Sequence, residues 1–192
     1  MEMIVVIMIV GSILALAIPR LSFKKMDNRT VFRELILTVK QVRNRAKLYN
    51  TSYRIAFKID AQAGSYWVEK SSSPTLLDKA FLEKEREQKE KVASFSGEKS
   101  QITSPYQLDS SYAKATVDLP GGYIIKSIES GPQDATFTEG VGYVHFFPQG
   151  FIEPIALQIV DPRKNVWTLV FNSITGQADI IDGAKSLKDL SR

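Results

Sequence analysis

The feature that most constrains this 192-residue chain is an apolar run at its amino terminus. The 16 residues from Met3 to Ile18 contain no charge, Glu2 precedes them, and Pro19 and Arg20 close the run. In a helix such a run reaches roughly 24 Å, and a few more apolar residues would cross the roughly 30 Å hydrocarbon core. A carboxylate that enters hydrocarbon costs roughly 2.5–3.5 kcal/mol, so it usually has a partner and a function. The pattern predicts a membrane segment headed by a carboxylate that needs a partner.

A second helical pattern follows the proline and ends at Asn50-Thr51-Ser52. Its apolar residues recur at spacings of 3, 4, 3, 4 and 3, which places them on one stripe of an amphipathic helix. The stripe consists of Phe32, Leu35, Val39, Val42, Ala46 and Tyr49. We expect this stripe to pack the helix against a β-sheet.

The stretch around this helix is basic. From Arg20 through Arg54 there are ten Lys or Arg residues and two acidic residues, a balance of +8. On the helix, Lys40, Arg43, Arg45 and Lys47 lie largely off the apolar stripe. Two interpretations remain open from the sequence: a solvated basic face, or a face that also binds acidic or phosphate partners.

The rest of the chain is rich in strand signals, which predicts two regions, an assembly helix and stalk over 1–52 and a β-rich globular domain over 53–192. Tyr53 to Asp60 alternates apolar and polar residues, which is typical of a half-buried strand, and Ser65 to Lys70 can return antiparallel to it. A charged helical insertion is predicted over about 76–93, either as surface decoration or as a contact site for another subunit. The remaining predicted strands are a hairpin over 114–119 and 123–129, and a meander over 143–147, 155–160, 166–171 and 177–181.

Residues that carry chemistry are scarce. The chain has no cysteine, and its single histidine, His145, alternates with aromatic residues along a predicted strand, which favours a packed side chain over a base. No zinc-protease, serine-hydrolase, P-loop or EF-hand spacing occurs. Gly150 and Gly176 fall in tight turns that need a positive φ. The sequence therefore predicts no enzyme, no metal site and no cofactor.

Three sets of residues resemble one known family. Glu2 and Pro19 stand at the 17-residue spacing seen at the amino terminus of type IV pilins and type II secretion pseudopilins. The block VRNRAKLYNTSYRIAFKIDAQAGSYWVEK resembles the start of the GspH/FimT pseudopilin domain. Phe146-Phe147-Pro148-Gln149-Gly150 and Asn172-Ser173-Ile174-Thr175-Gly176 resemble the turn motifs of the same domain.

The resemblance implies an α+β, pilin-like fold, in which a long N-terminal hydrophobic helix packs on antiparallel β-sheets of a C-terminal globular domain. It also implies that Glu2 pairs with the amino group of a neighbouring subunit, and that other pseudopilins or minor pilins pack helix against helix. A basic leader cut by prepilin peptidase, followed by N-methylation, would precede this position, so we expect the natural chain to begin before Met1.

The implied location is the bacterial inner membrane, crossed once, with a periplasmic globular domain that joins a pseudopilus on assembly. Charge alone would favour the opposite orientation, since Arg20, Lys24, Lys25 and Arg29 follow the apolar run. The leader would normally hold the competing cytoplasmic charges. A cleaved secretory signal is disfavoured because Pro19-Arg20-Leu21 supplies no good small-residue cleavage site.

Three classes of function follow. The first is a structural minor pseudopilin of a type II secretion system, placed near the pseudopilus tip to support protein export. The second is a FimT-like minor type IV pilin involved in pilus assembly and DNA uptake; nucleic-acid binding is disfavoured because the last strand and tail hold no arginine before Arg192. The third, a membrane-anchored periplasmic enzyme, has no motif to support it.

Overall fold

A computed structural model describes residues 28–61, 63–71, 105–109, 111 and 116–190. These residues form one long helix, ten strands and a short C-terminal helix. In chain order they are α1 Asn28–Leu48, β1 Tyr53–Ile59, β2 Ser65–Ser71, β3 Tyr106–Leu108, β4 Val117–Asp118, β5 Ile124–Ser130, β6 Ala135–Phe137, β7 Gly140–Phe146, β8 Ile155–Val160, β9 Val166–Phe171, β10 Ala178–Asp182 and α2 Leu187–Leu190. The apolar run, Glu2, Pro19 and the predicted insertion over 76–93 lie outside the described residues.

Helix α1 ends where its sequence changes from helix formers to Asn50-Thr51-Ser52. Asn50 adopts a positive φ of 47°, a conformation that asparagine tolerates better than most residues. Its amide donates to the Lys47 carbonyl, and the Thr51 amide donates to the Ala46 carbonyl at 3.1 Å. This pair of bonds satisfies the last carbonyl groups of the helix and turns the chain into β1.

The strands form two antiparallel sheets. Sheet A has the order β3-β2-β1-β7, with β4 pairing β2 beyond the end of β3, and sheet B has the order β10-β9-β8-β5-β6. Every strand pair is antiparallel, and the predicted return of β2 on β1 is confirmed, with Tyr53 opposite Lys70 and Lys58 opposite Ser65. The predicted α+β class with antiparallel sheets is therefore confirmed; the long hydrophobic part of the helix stays a prediction.

One apolar core joins α1 to both sheets. The inward residues of β1 and β7 contribute Ile55, Phe57 and Val144, and those of sheet B contribute Ile128 and Leu157, all at most 1% exposed. Phe32 of α1 packs against Trp167 of β9 with ring centroids 5.7 Å apart. Helix and sheets therefore share one core.

Strand pairing differs from the sequence prediction in the C-terminal half. The segments 114–119 and 123–129 do not form a hairpin: β4 pairs β2, whereas β5 lies between β8 and β6. Nor does β7 belong to the meander, since it pairs β1 in sheet A while β8, β9 and β10 continue in sheet B. The glycine turns were placed correctly, but a turn fixes only where the chain reverses. Which edge the next strand joins depends on residues far away in sequence.

Strand β1 is buried on both faces, so the half-buried prediction was wrong. The guanidinium of Arg54, on the face away from α1, lies between the rings of Tyr106 and Tyr143, 4.2 and 4.0 Å from their centroids. Its Nε donates to Glu69 Oε2 at 2.6 Å, and the Arg54 residue is 5% exposed. An arginine whose charge is paired and whose plane stacks on aromatic rings can lie in such a position.

Candidate functional site

The candidate site is the face of α1 that holds the helix on the sheets. Of the six stripe residues, Phe32, Leu35, Val39, Val42 and Ala46 are at most 2% exposed. Tyr49 is 56% exposed, which corrects its placement in the stripe. The helix ends at Leu48, so the helical spacing no longer governs the next residue, and the Tyr49 ring instead lies beside Lys70 Nζ at 5.5 Å.

A polar cluster anchors the first residue of α1. Asn28 Nδ2 donates to Asp161 Oδ2 at 3.0 Å, and the Tyr123 hydroxyl donates to Asn28 Oδ1. Asp161 begins the turn between β8 and β9, and Tyr123 immediately precedes β5. One asparagine therefore ties the amino end of α1 to two strands of sheet B.

Asp161 is 2% exposed, yet its carboxylate has five hydrogen-bond donors. Burial is the largest single influence and raises the pKa of the Asp161 carboxyl. The side chain and amide of Asn165, together with Asn28 and Trp167, favour the charged form and outweigh burial, so the net pKa lies well below the ordinary value. The cluster is therefore built around a carboxylate that stays ionised.

Arg43 anchors the carboxyl end of the helix to both glycine turns. Its Nε donates to the Gly150 carbonyl and its Nη2 donates to the Ile174 carbonyl, each at 2.6 Å. Gly150 and Gly176 have φ values of 87° and 71°, as the sequence predicted. A Cβ on Gly176 would lie 2.7 Å from Arg43 Cδ, so the glycine also leaves room for this side chain. The two turn motifs meet on one arginine.

Arg45 makes the corresponding contact on the other flank of the helix. Its Nη1 donates to Asp109 Oδ2 at 3.0 Å and to Ser111 Oγ at 2.9 Å, which ties α1 to the end of β3. Two of the four basic residues off the stripe thus bind groups of their own domain, whereas Lys40 and Lys47 are exposed. Arg43 and Arg45 on the basic face therefore help to hold the helix in place.

Sequence reasoning missed the roles of Arg43, Arg45 and Asp161. An aspartate at the start of the predicted 161–165 turn was the one available signal, because its side chain commonly accepts turn amides. The acceptors of Arg43 lie 107 and 131 residues further along the chain, and a local sequence pattern does not predict contacts at such separations.

His145 is buried, as predicted, in a cluster that joins the two sheets. Its Nδ1 lies 2.6 Å from Glu153 Oε2, and the hydroxyl of Ser130, at the end of β5, donates to Glu153 Oε1. The carboxylate lies between hydroxyl and imidazole, and all three residues are 1% exposed. The imidazole bonds the carboxylate and not the serine hydroxyl, and burial of all three residues closes them to a substrate, so the cluster fits a structural link rather than hydrolysis.

Among the described residues, no three His, Asp or Glu side chains are placed to hold a metal ion. No helix in the described parts of the chain has both the length and the apolarity that a membrane crossing needs. The assembly residues Glu2 and Pro19 lie outside the described residues, so their roles stay predictions.

No protein-family model matches the chain, and no curated protein matches it. The solved structures similar to the chain include two of the minor pseudopilin EpsH from the type II secretion system of Vibrio cholerae. One has a TM-score of 0.44 and 11% identity, covering 78% of this chain and 92% of the other. The second has a TM-score of 0.46 and 12% identity, covering 86% and 99%. At these values the similarity by itself assigns neither function nor partner.

Proposed function

We propose that the chain is a structural minor pseudopilin of a type II secretion system. In this role it joins the periplasmic pseudopilus near its tip and supports protein export across the outer membrane. The observation that carries the proposal is the anchoring of α1: a buried apolar stripe, an Asn28 contact at one end and arginine contacts at the other. A helix held in this way moves together with both sheets.

Such anchoring suits a subunit whose amino-terminal segment is pulled from the membrane into a filament. In our proposal the apolar run spans the inner membrane once before assembly and packs among the helices of other pseudopilins afterwards. Glu2 neutralises the amino group of a neighbour and so sets the axial register. Where a leader precedes this position, prepilin peptidase removes it and N-methylation follows. The globular domain lies in the periplasm and has no catalytic role.

The proposal is tested at Glu2. Glu2→Ala removes a carboxylate that costs roughly 2.5–3.5 kcal/mol to insert, so membrane insertion is retained. Incorporation into sheared pseudopili should be lost, because no charge remains to meet the neighbouring amine. Glu34→Ala is the matched control, since Glu34 is an exposed carboxylate on α1. Normal incorporation of Glu2→Ala would remove the pairing role, and loss with both variants would make the effect unspecific.

Gene deletion tests the class of system. Loss of enzyme secretion with unchanged DNA uptake supports a pseudopilin, whereas the reverse supports the FimT-like minor pilin. For that alternative the structure offers little support, because Arg43 and Arg45 are engaged within the domain. A DNA gel shift across a salt series gives a direct measurement, since phosphate binding through lysine and arginine weakens steeply with salt.

A further inference from the structure

A polar groove lies beside the carboxyl end of α1, at the edge of sheet A. It encloses about 530 Å³ and is lined by Thr51, Lys70, Ser71, Gln107, Leu108, Asp109 and Ser111. Tyr49 borders it through the contact of its ring with Lys70 Nζ, 5.5 Å away. The groove therefore joins three elements: the turn after α1, the end of β2 and the short strand β3.

Charge in this groove is unbalanced. The Asp109 carboxylate is already neutralised, since Oδ2 accepts from Arg45 Nη1 at 3.0 Å and Oδ1 accepts from the amide and hydroxyl of Ser111. Lys70 is exposed, and the described residues place no carboxylate within ion-pairing distance of its Nζ. Among the described lining residues, the Lys70 ammonium group is thus available to a bound anion.

The other groups of the groove suit a peptide. The exposed Gln107 amide can hydrogen-bond a main chain. The Thr51 hydroxyl donates to the Tyr49 carbonyl and can still accept a bond from a peptide amide. Large apolar side chains stand exposed at the rim: Tyr49 at 56% and Leu108 at 51%. Exposed apolar side chains beside polar groups are typical of surfaces that bind a protein segment.

We infer that this groove binds an acidic segment of a partner protein, with an acidic side chain at Lys70 and an apolar side chain against Tyr49 and Leu108. The inference rests on the proposed assembly role, in which a neighbouring subunit supplies the segment. It adds a contact on the globular domain to the helix packing expected in a filament.

The test measures peptide binding to the full chain in detergent by fluorescence anisotropy. The probes are three labelled hexapeptides in which leucine alternates with aspartate, serine or lysine. We expect the aspartate peptide to bind about three- to tenfold more tightly than the lysine peptide. This is the range expected for one or two partly exposed charge contacts. Equal affinity for the three peptides, or no binding, would overturn the inference.

Substitutions locate the site. Lys70→Glu should abolish the preference for the aspartate peptide, and Lys70→Gln should reduce it, while Lys126→Glu, on an exposed lysine of β5, should leave it unchanged. Both positions are exposed, and the melting temperature of each variant verifies folding. An equal effect of Lys126→Glu would overturn the inference. Because binding is measured without assembly, a groove that fails this test leaves the Glu2 incorporation result to stand independently.

Discussion

Arg43 Nε lies 2.6 Å from the carbonyl oxygen of Gly150, a residue whose own φ of 87° places that carbonyl in the turn between β7 and β8. The same guanidinium donates to the Ile174 carbonyl in the turn after β9. Planar guanidinium groups present several donors in a fixed geometry, which a flexible ammonium group does not reproduce. One side chain of α1 thereby fixes two turns relative to the helix, one that connects sheet A to sheet B and one within sheet B.

Arg43→Met should lower the free energy of unfolding by about 1–3 kcal/mol, because hydrogen bonds from a charged donor contribute about 1.5–3 kcal/mol and the two carbonyls are partly solvated. Urea unfolding gives the value. Lys40→Met is the control on the same helix, and at an exposed position it should change stability by less than about 0.5 kcal/mol. Equal losses in both variants would contradict the anchoring role.

Two leucines that lie two residues apart, and so on opposite faces of α1, test the buried stripe. Leu35 is 1% exposed and Leu37 is 46% exposed. Leu35→Ala should lower the free energy of unfolding by about 2–5 kcal/mol, whereas Leu37→Ala should change it by less than about 1 kcal/mol. Chemical denaturation followed by tryptophan fluorescence measures the two free energies of unfolding. Tyr49→Asp should leave the domain folded, because Tyr49 is exposed. A similar cost at both leucines would show that α1 is not packed by this face.

Removing the glycine at position 176 tests the turn that receives Arg43. Gly176→Ala places a Cβ 2.7 Å from Arg43 Cδ and holds alanine at a φ of 71°, so we expect a loss of about 1–3 kcal/mol in the free energy of unfolding. Gly121→Ala is the matched control, because a Cβ there meets no atom within 4 Å. A loss confined to Gly176→Ala in thermal melts is the expected result; indifference at both sites would contradict it.

The Asp161 cluster predicts a loss of stability in acid. The pKa of Asp161 is lowered in the folded state, so its contribution is present above the unfolded pKa near 3.9 and is lost as pH falls below that value towards the folded pKa. Asp161→Asn should therefore reduce stability near neutral pH and flatten the decline between about pH 5 and pH 2. Unfolding midpoints across that range measure it. A parallel decline in both proteins would assign acid sensitivity to other groups, and Asp179→Asn, at an exposed carboxylate, should leave the profile unchanged.

Much of the fold follows from local patterns. The 3.6-residue spacing identified α1 and five of its buried residues. Alternation of apolar and polar residues located strands, and Gly150 and Gly176 located two of the turns. The same reasoning failed at Tyr49, because this residue follows the last residue of the helix and the helical spacing no longer applies to it. It also failed at β7, which the meander prediction assigned to the wrong sheet. The half-buried prediction for β1 failed at Arg54, because the aromatic rings that enclose it come from two other strands.

The amino-acid sequence by itself determined what depends on neighbours a few residues apart: the helical stripe from Phe32 to Ala46, the turn at Asn50 and the positive φ of two glycines. Only the tertiary structure decided where β5 and β7 pair. It also decided that Arg43 donates to Gly150 and Ile174 and that Asn28 donates to Asp161. The reason is physical, since backbone conformation responds to local sterics and hydrophobic spacing, whereas these contacts join groups more than 100 residues apart that only the packed core brings within hydrogen-bonding distance.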